Sequence, residues 1–354
     1  MRDTPRWVVY CYSDLPNSWD LYVLLYDSVQ SSARQYGRQH SSIIGRLQLL
    51  IQTQKPTSLA AKIQTYYEFT KPKIWSLLVF TSLTATFVAT RILSIAFSPI
   101  GWLMAGTAIT AGCAGCNALT NYHDRDIDAV MHRTRHRPLP SGRIDPQSAL
   151  RFALGLIAVS LILSALLNLL SALWMGLGIL DNVGVYSLML KRRSSLNILL
   201  GGFSGGLPVL FGWSAVTPGL IGSLPKPEIP LLMGGLVFVW IPVHIWFLAV
   251  SNRADYSRAD IPMLPVVFGP ATALRIITLF SLIMVPFSLA LYLLGYFGPV
   301  YGIVALVGSL ANLAGSLWVL YKPTETNAWR MFKISSPYLF LLFVAIIVDA
   351  ALRR

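Results

Sequence analysis

Asp124 and Asp128 sit four residues apart in Asn117-Ala-Leu-Thr-Asn-Tyr-His-Asp-Arg-Asp-Ile-Asp128, where an apolar stretch turns polar. At about 100° per residue, a helix through this segment lines Asn117, Asn121, Asp124 and Asp128 along one stripe, with the two carboxylates about 40° apart and one turn separated. Asp126 then points elsewhere. Like charges on one helix face repel, so the pair asks for a cation between its members. Magnesium meets that demand, because it keeps several waters and takes one or two carboxylates plus substrate phosphates, whereas calcium wants more oxygen ligands. Just downstream, Arg133-Thr-Arg-His-Arg-Pro-Leu-Pro-Ser-Gly-Arg143 offers guanidinium forks, Arg133 and Arg137 among them, that match phosphate oxygens. The carboxylates alone read equally as a solvated helix end, and the basic loop alone as topological charge. Together they favour a metal–diphosphate site.

A second, weaker carboxylate segment is Asn252-Arg-Ala-Asp255-Tyr256-Ser-Arg258-Ala-Asp260-Ile-Pro262. Helical spacing places Asn252, Asp255 and Tyr256 on one face, and Asp260 falls where Pro262 ends the helix. Taken alone, it reads as a charged loop. Between the two lies Lys191-Arg192-Arg193, which topology explains, followed by the glycines 201, 202, 205, 206 and 212 and by Pro208 inside an apolar stretch. Such residues mark close helix packing or a kink, or room for a long chain or flat ring. His244, in Trp240-Ile-Pro-Val-His244-Ile-Trp246, is costly inside a membrane and so a site candidate; a hydrogen-bonded packing histidine is the equal alternative. Cys113 and Cys116 form a CxxC among small residues. Apolar burial disfavours the thiolate that redox or metal chemistry needs, so they read as helix packing.

The elements that position these residues are membrane helices. Of 354 residues, 55% are hydrophobic and 12% charged, against about a quarter charged in soluble domains. Nine stretches approach the length needed to cross about 30 Å of hydrocarbon: 74–96, 98–120, 148–169, 171–190, 197–216, 231–250, 271–294, 299–321 and 332–352. The predicted fold is all-α, a polytopic membrane bundle, preceded by an N-terminal cytoplasmic extension over 1–65, with the membrane-embedded domain over 66–354. Within the extension, 19–51 reads either as amphipathic helix on the membrane surface or as a weakly ordered segment; it lacks the pattern of a secretory signal. The formal net charge of +13 reflects topology and no nucleic-acid partner. Basic residues crowd alternate loops, around 125–143, 191–193, 253–258 and 322–333, with Arg91 and Lys226 as exceptions. The positive-inside rule therefore puts the N-terminus and both aspartate loops in the cytoplasm of a cell-membrane protein. Arg353 and Arg354, outside after nine crossings, run against it.

Asn121-Tyr-His-Asp-Arg-Asp-Ile-Asp128 followed by Arg133-Thr-Arg-His-Arg-Pro-Leu-Pro-Ser-Gly-Arg-Ile144 resembles the first aspartate-rich motif of the UbiA-type intramembrane prenyltransferases. Three further stretches, YSLMLKRRSSLNILLGG with LPVLFGW, WIPVHIW, and ADYSRADIPMLPVV, are similar to the branch of that family that farnesylates protohaem. The likeness covers about residues 66–300. It implies nine helices around a cavity, with aspartate motifs facing each other at the cytoplasmic mouth. It also implies that farnesyl diphosphate is ionised with the help of Mg2+ and attacked by a vinyl group of haem B, and that water completes haem O. A haem-handing partner in terminal oxidase assembly follows from the same resemblance. Carried over position by position, Asp124 and Asp128 match the metal-binding aspartates, Arg133 and Arg137 the following basic positions, and Lys71 and Lys73 the basic pair before the first helix. Lys191 and Arg192 match the cytoplasmic basic loop, His244 its histidine, and Asn252, Asp255 and Tyr256 the second motif, which implies Asn252 and Asp255 as further metal ligands and Lys71, Lys73, Lys191, Arg192, His244 and Tyr256 as substrate-binding residues. Thr120 stands where the family often has Asn, leaving Asn121 or Asn117 to supply an amide oxygen, and Asp260 replaces a common Gly. Two other functions compete: prenyl transfer to a quinone, aromatic or lipid-alcohol acceptor, and multi-pass transport. Transporters place ionisable groups near the midplane, while charge here gathers at helix ends, Asp181 and Asp349 excepted.

Overall fold

The structure, a computed structural model, describes residues 58–217 and 224–352; expectations for 1–57 and for Arg353 and Arg354 fall outside the described residues. The compact unit containing them runs over Pro56–Arg354. A short helix α1 (Leu59–Phe69) leads into the bundle, capped by the Ser58 side chain, which accepts from Ala61 N. The long helices are α2 (Pro72–Leu93), α3 (Pro99–His123), α5 (Pro146–Leu167), α6 (Leu169–Ile179), α8 (Phe203–Val216), α9 (Glu228–Ser251), α12 (Gly269–Leu293), α13 (Pro299–Tyr321) and α14 (Glu325–Leu352). Helix α6 continues as a π-helical stretch over Leu180–Leu190. Short helices α4 (Arg125–Val130), α7 (Asn197–Leu200), α10 (Arg253–Arg258) and α11 (Leu264–Val267) decorate one end.

Eight spans among the described residues are long and apolar enough to cross a membrane. Helix α3 is the ninth long element. Its 25 residues would span about 37 Å, but its Gly, Thr and Asn content keeps it out of that apolar class. Starts follow local chemistry. Pro72, Pro99, Pro146 and Pro299 occupy first turns, where a missing N–H costs nothing. Ser98 and Asp145 accept from Gly101 N and Ser148 N, and Asn168 both caps α6 through Ser171 N at 2.7 Å and donates to the Ser214 carbonyl of α8.

Helix α8 lies at the centre, with 72% of its span buried against 11% for Leu169–Leu190. It packs on α2, α6 and α9, and the ring closes where α14 meets α2. Glycine permits these crossings. A Cβ on Gly212 would lie 2.0 Å from the Ser82 carbonyl oxygen, and one on Gly206 2.6 Å from the Gly234 carbonyl oxygen. Thr86 Oγ1 takes advantage of the first approach, donating to Gly212 O at 2.9 Å. Gly112 and Gly115 do the same for α3, against Met175 and Ile157, so the small residues around Cys113 and Cys116 serve helix packing.

Candidate active site

Alternating helix direction brings the start of α2, the end of α3, the end of the π-helical stretch and the end of α9 to one face of the bundle. The first aspartate segment is not one continuous helix. Helix α3 stops at His123, Asp124 bends the backbone (φ −87°, ψ 5°), and α4 resumes at Arg125. The break leaves two bonds of the ladder in place, Asp124 N to Thr120 O at 2.9 Å and Asp128 N to Asp124 O at 2.8 Å. Both carboxylates remain inward and buried, 1% exposed for Asp124 and 4% for Asp128.

Each is paired with a cation brought by a different segment. Lys191 Nζ, just beyond the π-helical stretch, donates to Asp124 Oδ2. One Arg137 nitrogen donates to both oxygens of Asp128, at 2.9 and 2.8 Å, and to Asn121 Oδ1 at 3.3 Å. Asn121 is held in turn by its Nδ2, which donates to Phe69 O at 2.6 Å. Asp124 Oδ1 is buried and has no hydrogen-bond partner, and neither has the Arg133 Nε. Buried polar atoms are normally satisfied, and an orphan carboxylate oxygen among cations is suited to a metal ion or a polar ligand. Two carboxylates completed by phosphate oxygens match the way Mg2+ is held, so these residues fit that ion.

Charge balance follows from the same neighbours. Burial pushes the Asp128 carboxyl up, but Arg137, Lys71 and Lys191 outweigh it and hold it below the usual carboxylate range. Burial opposes the charge on Lys191, and Tyr186 and Asp124 more than restore it, so its pKa lies above the ordinary lysine value. Lys71 is different. Burial, reinforced by Arg137, brings its pKa down to about 7 against the pull of Asp128 and Asp124. It sits at the N-cap of α2 in the left-handed region, φ 57°, a conformation unfavourable for a residue with a Cβ.

The second segment meets the first through Asp255, whose oxygens accept from His132 N at 3.3 Å, Arg133 N at 2.9 Å and Arg258 at 2.9 Å. Asp255 therefore fastens the arginine loop and is fully engaged. Helix α10 ends at Arg258, and Asp260 follows with φ 50°. Tyr256 is buried in the apolar cluster that also holds Ile127 and Met131.

Other candidates stand apart in their contacts. Asn117 donates back to Cys113 O and lines a cavity of about 60 Å³ with Cys113, Cys116, Trp174 and Asn182. Asn252 donates to Leu248 O and Ser251 Oγ. Arg192 grips the exposed Asp126 through two bonds of 2.7 Å and also donates to His123 O; its hydrogen bonds bring the Asp126 pKa down to about 2. Lys73 is exposed. His244 bonds Ser335 Oγ at 2.6 Å and is stacked between Trp240 and Phe332, each ring 4.4 Å away.

Three further residues belong to the site. Tyr186 lies beneath Lys191, 5.7 Å from ring centre to Nζ. Asn197 is fully buried, donates to Lys191 O at 3.4 Å, and has an Oδ1 without a partner. Thr134 Oγ1 donates to Asp128 O.

The profile of the UbiA prenyltransferase family matches residues 78–344, the greater part of the chain and all of this site except Lys71. The chain belongs to the UbiA prenyltransferase family. It is 45% identical over 307 residues to protoheme IX farnesyltransferase 2 of Cenarchaeum symbiosum, covering 83% of this chain and 97% of that one. With the protoheme IX farnesyltransferase of Desulforudis audaxviator it shares 46% over 294 residues, covering 82% and 89%. Two solved UbiA homologues share the fold. That of Aeropyrum pernix K1 superposes with a TM-score of 0.64 at 21% identity, covering 77% of this chain and 97% of its own. That of Archaeoglobus fulgidus, bound to DMAPP and Mg2+, gives 0.56 at 18%, covering 79% and 99%. This UbiA chain is a multi-pass membrane prenyltransferase, and its family membership removes the transporter alternative.

Proposed function

We propose that this chain moves the farnesyl group of farnesyl diphosphate onto the vinyl group of haem B, and that a water then adds to the carbocation left on the other vinyl carbon and loses a proton, giving haem O and diphosphate. The relatives named protoheme IX farnesyltransferase, at 45% and 46% identity over most of the chain, support the choice of substrates. The observation that carries the chemistry is the orphan Asp124 Oδ1 beside a buried Asp128 and a ring of cations. Mg2+ held by Asp124 and Asp128 would neutralise charge on the departing diphosphate.

The chain's own residues do the rest. Arg133, Arg137, Lys71 and Lys191 bind and orient diphosphate oxygens and stabilise the negative charge that grows there as the allylic C–O bond breaks. Their positions are set in advance, Arg133 by its backbone bond to Asp255 and Lys191 by Tyr186 and Asn197. Apolar walls around Ile127, Met131 and Tyr256 keep water from an allylic cation until the vinyl carbon attacks. No side-chain nucleophile is required. The same reading puts the aspartate face in the cytoplasm of the cell membrane, on the distribution of basic residues, and hands the product to terminal oxidase assembly. Mass spectrometry of haems from cells expressing this chain tests it. Haem O is expected from the wild type and none from the Asp124→Asn/Asp128→Asn double variant; a prenylated quinone or aromatic product in place of haem O refutes the acceptor.

A further inference from the structure

The cations that neutralise Asp124 and Asp128 are the same groups a diphosphate would need. Lys191 occupies Asp124 Oδ2, Arg137 spans both oxygens of Asp128, and only Asp124 Oδ1 is left over. Around these two carboxylates stand three cations, Lys191, Arg137 and Lys71. A bare divalent cation entering this field meets net positive charge, and beyond the free Asp124 Oδ1 it gains a further carboxylate oxygen only by evicting an ammonium or guanidinium that has nowhere to go. A bare diphosphate that draws Lys191 and Arg137 to itself leaves two buried carboxylates uncompensated, which is strongly unfavourable.

We propose that Lys191 and Arg137 are placeholders that pass from the aspartates to the diphosphate in exchange for the metal, so that metal and diphosphate bind as a coupled pair. The exchange conserves partners: each carboxylate trades an organic cation for the metal, and each organic cation trades a carboxylate for a phosphate oxygen. Asp124 Oδ1 is where it starts, because that oxygen can accept the metal before any existing bond breaks. Coupling is reciprocal, so each ligand raises the affinity of the other by the same factor. The inference rests on the metal–diphosphate reading of this site and is independent of the acceptor.

The test uses the full chain in detergent with Mn2+ as the metal and inorganic diphosphate as the anion. Protein-bound Mn2+ is read by equilibrium dialysis and electron paramagnetic resonance, with the soluble Mn2+–diphosphate complex counted in the free pool. Wild type is expected to bind Mn2+ at least tenfold more tightly with diphosphate than without. Lys191→Met is expected to bind Mn2+ alone at least tenfold more tightly than wild type, with the diphosphate enhancement reduced, while Lys191→Arg stays near wild type. Equal Mn2+ affinity with and without diphosphate in the wild type overturns the exchange, as does a folded Lys191→Met protein with no gain for Mn2+ alone. Should that variant not fold, Arg137→Gln and the wild-type isotherms decide in the same way. Absence of Mn2+ binding under every condition refutes the metal reading itself, whereas coupled binding without prenylated haem supports the exchange and refutes only the acceptor.

Discussion

Three aspartates within little more than one helical turn are expected to respond differently to the same isosteric change. Asp126 is 62% exposed and its Arg192 partner 35%, so their pair contributes about 0–1 kcal/mol, and Asp126→Asn should leave turnover within about threefold of wild type. Asp128 is 4% exposed and accepts twice from Arg137. Removing one member of a buried pair costs about 3–5 kcal/mol. The amide retains one acceptor, Asn121 Oδ1 still holds Arg137 at 3.3 Å, and 22% of Arg137 is exposed, so about 2–3 kcal/mol is the better expectation. Asp124→Asn leaves Lys191, itself only 15% exposed, without the carboxylate it bonds and should cost about 3–5 kcal/mol. Both inner variants also lose a carboxylate that would hold the metal neutralising the departing diphosphate, which is expected to lower turnover by about 10²- to 10³-fold. Thermal unfolding in detergent reads the first effect, and chromatography of prenylated product at saturating magnesium reads the second. If Asp126→Asn is as inactive as the other two, or either inner variant keeps more than about a tenth of wild-type turnover, the inward and outward assignment of these carboxylates is wrong.

Lys71 should impose a pH dependence on diphosphate binding. Its pKa of about 7 in the free protein rises when an anion arrives, so above pH 7 binding takes up a proton and affinity falls, by at most about tenfold per pH unit. The affinity ratio of wild type to Lys71→Met should therefore grow as pH drops from 8 to 6, and a flat ratio removes Lys71 from the site. Gly212→Ala is expected to destabilise by about 1–3 kcal/mol, since its Cβ would lie 2.0 Å from the Ser82 carbonyl oxygen; an unchanged melting temperature in detergent contradicts that crossing. His244→Phe keeps the ring stack but loses the Ser335 bond, so a loss of about 1 kcal/mol with an unchanged KM for farnesyl diphosphate is expected. A rise in that KM of more than about threefold would make His244 a binding residue.

What the sequence makes legible here is what depends on composition and on short spacings. Apolar length alone places the crossings, because the bilayer thickness is fixed, and the four-residue interval between Asp124 and Asp128 keeps both inward even though the helix breaks between them. The break itself has no such signature: no Pro or Gly marks Asp124, and the Lys191 that holds its carboxylate comes from a distant part of the chain. The glycines of α8 announce close packing, but which helix approaches each one is decided by the ring of neighbours. Asp255 reads as a metal ligand by type; only the folded loop reveals that the His132 and Arg133 amides have taken its oxygens.

Tyr186 illustrates the limit best. Five residues separate it from Lys191, which at 100° per residue puts the two about 140° apart on an α-helix, so periodicity offers no reason to associate them. The π-helical stretch widens the turn until Lys191 N bonds Tyr186 O at 2.8 Å, and the ammonium then lies above the ring within reach of Asp124. Wide turns of this kind are uncommon and recur at functional sites. Here the gain is specific: the register that is unfavourable for the backbone carries the one lysine that must face Asp124 and later a phosphate. A rewinding of residues 180–190 to an α-helix would turn Lys191 away from both, leaving Asp124 buried without its cation.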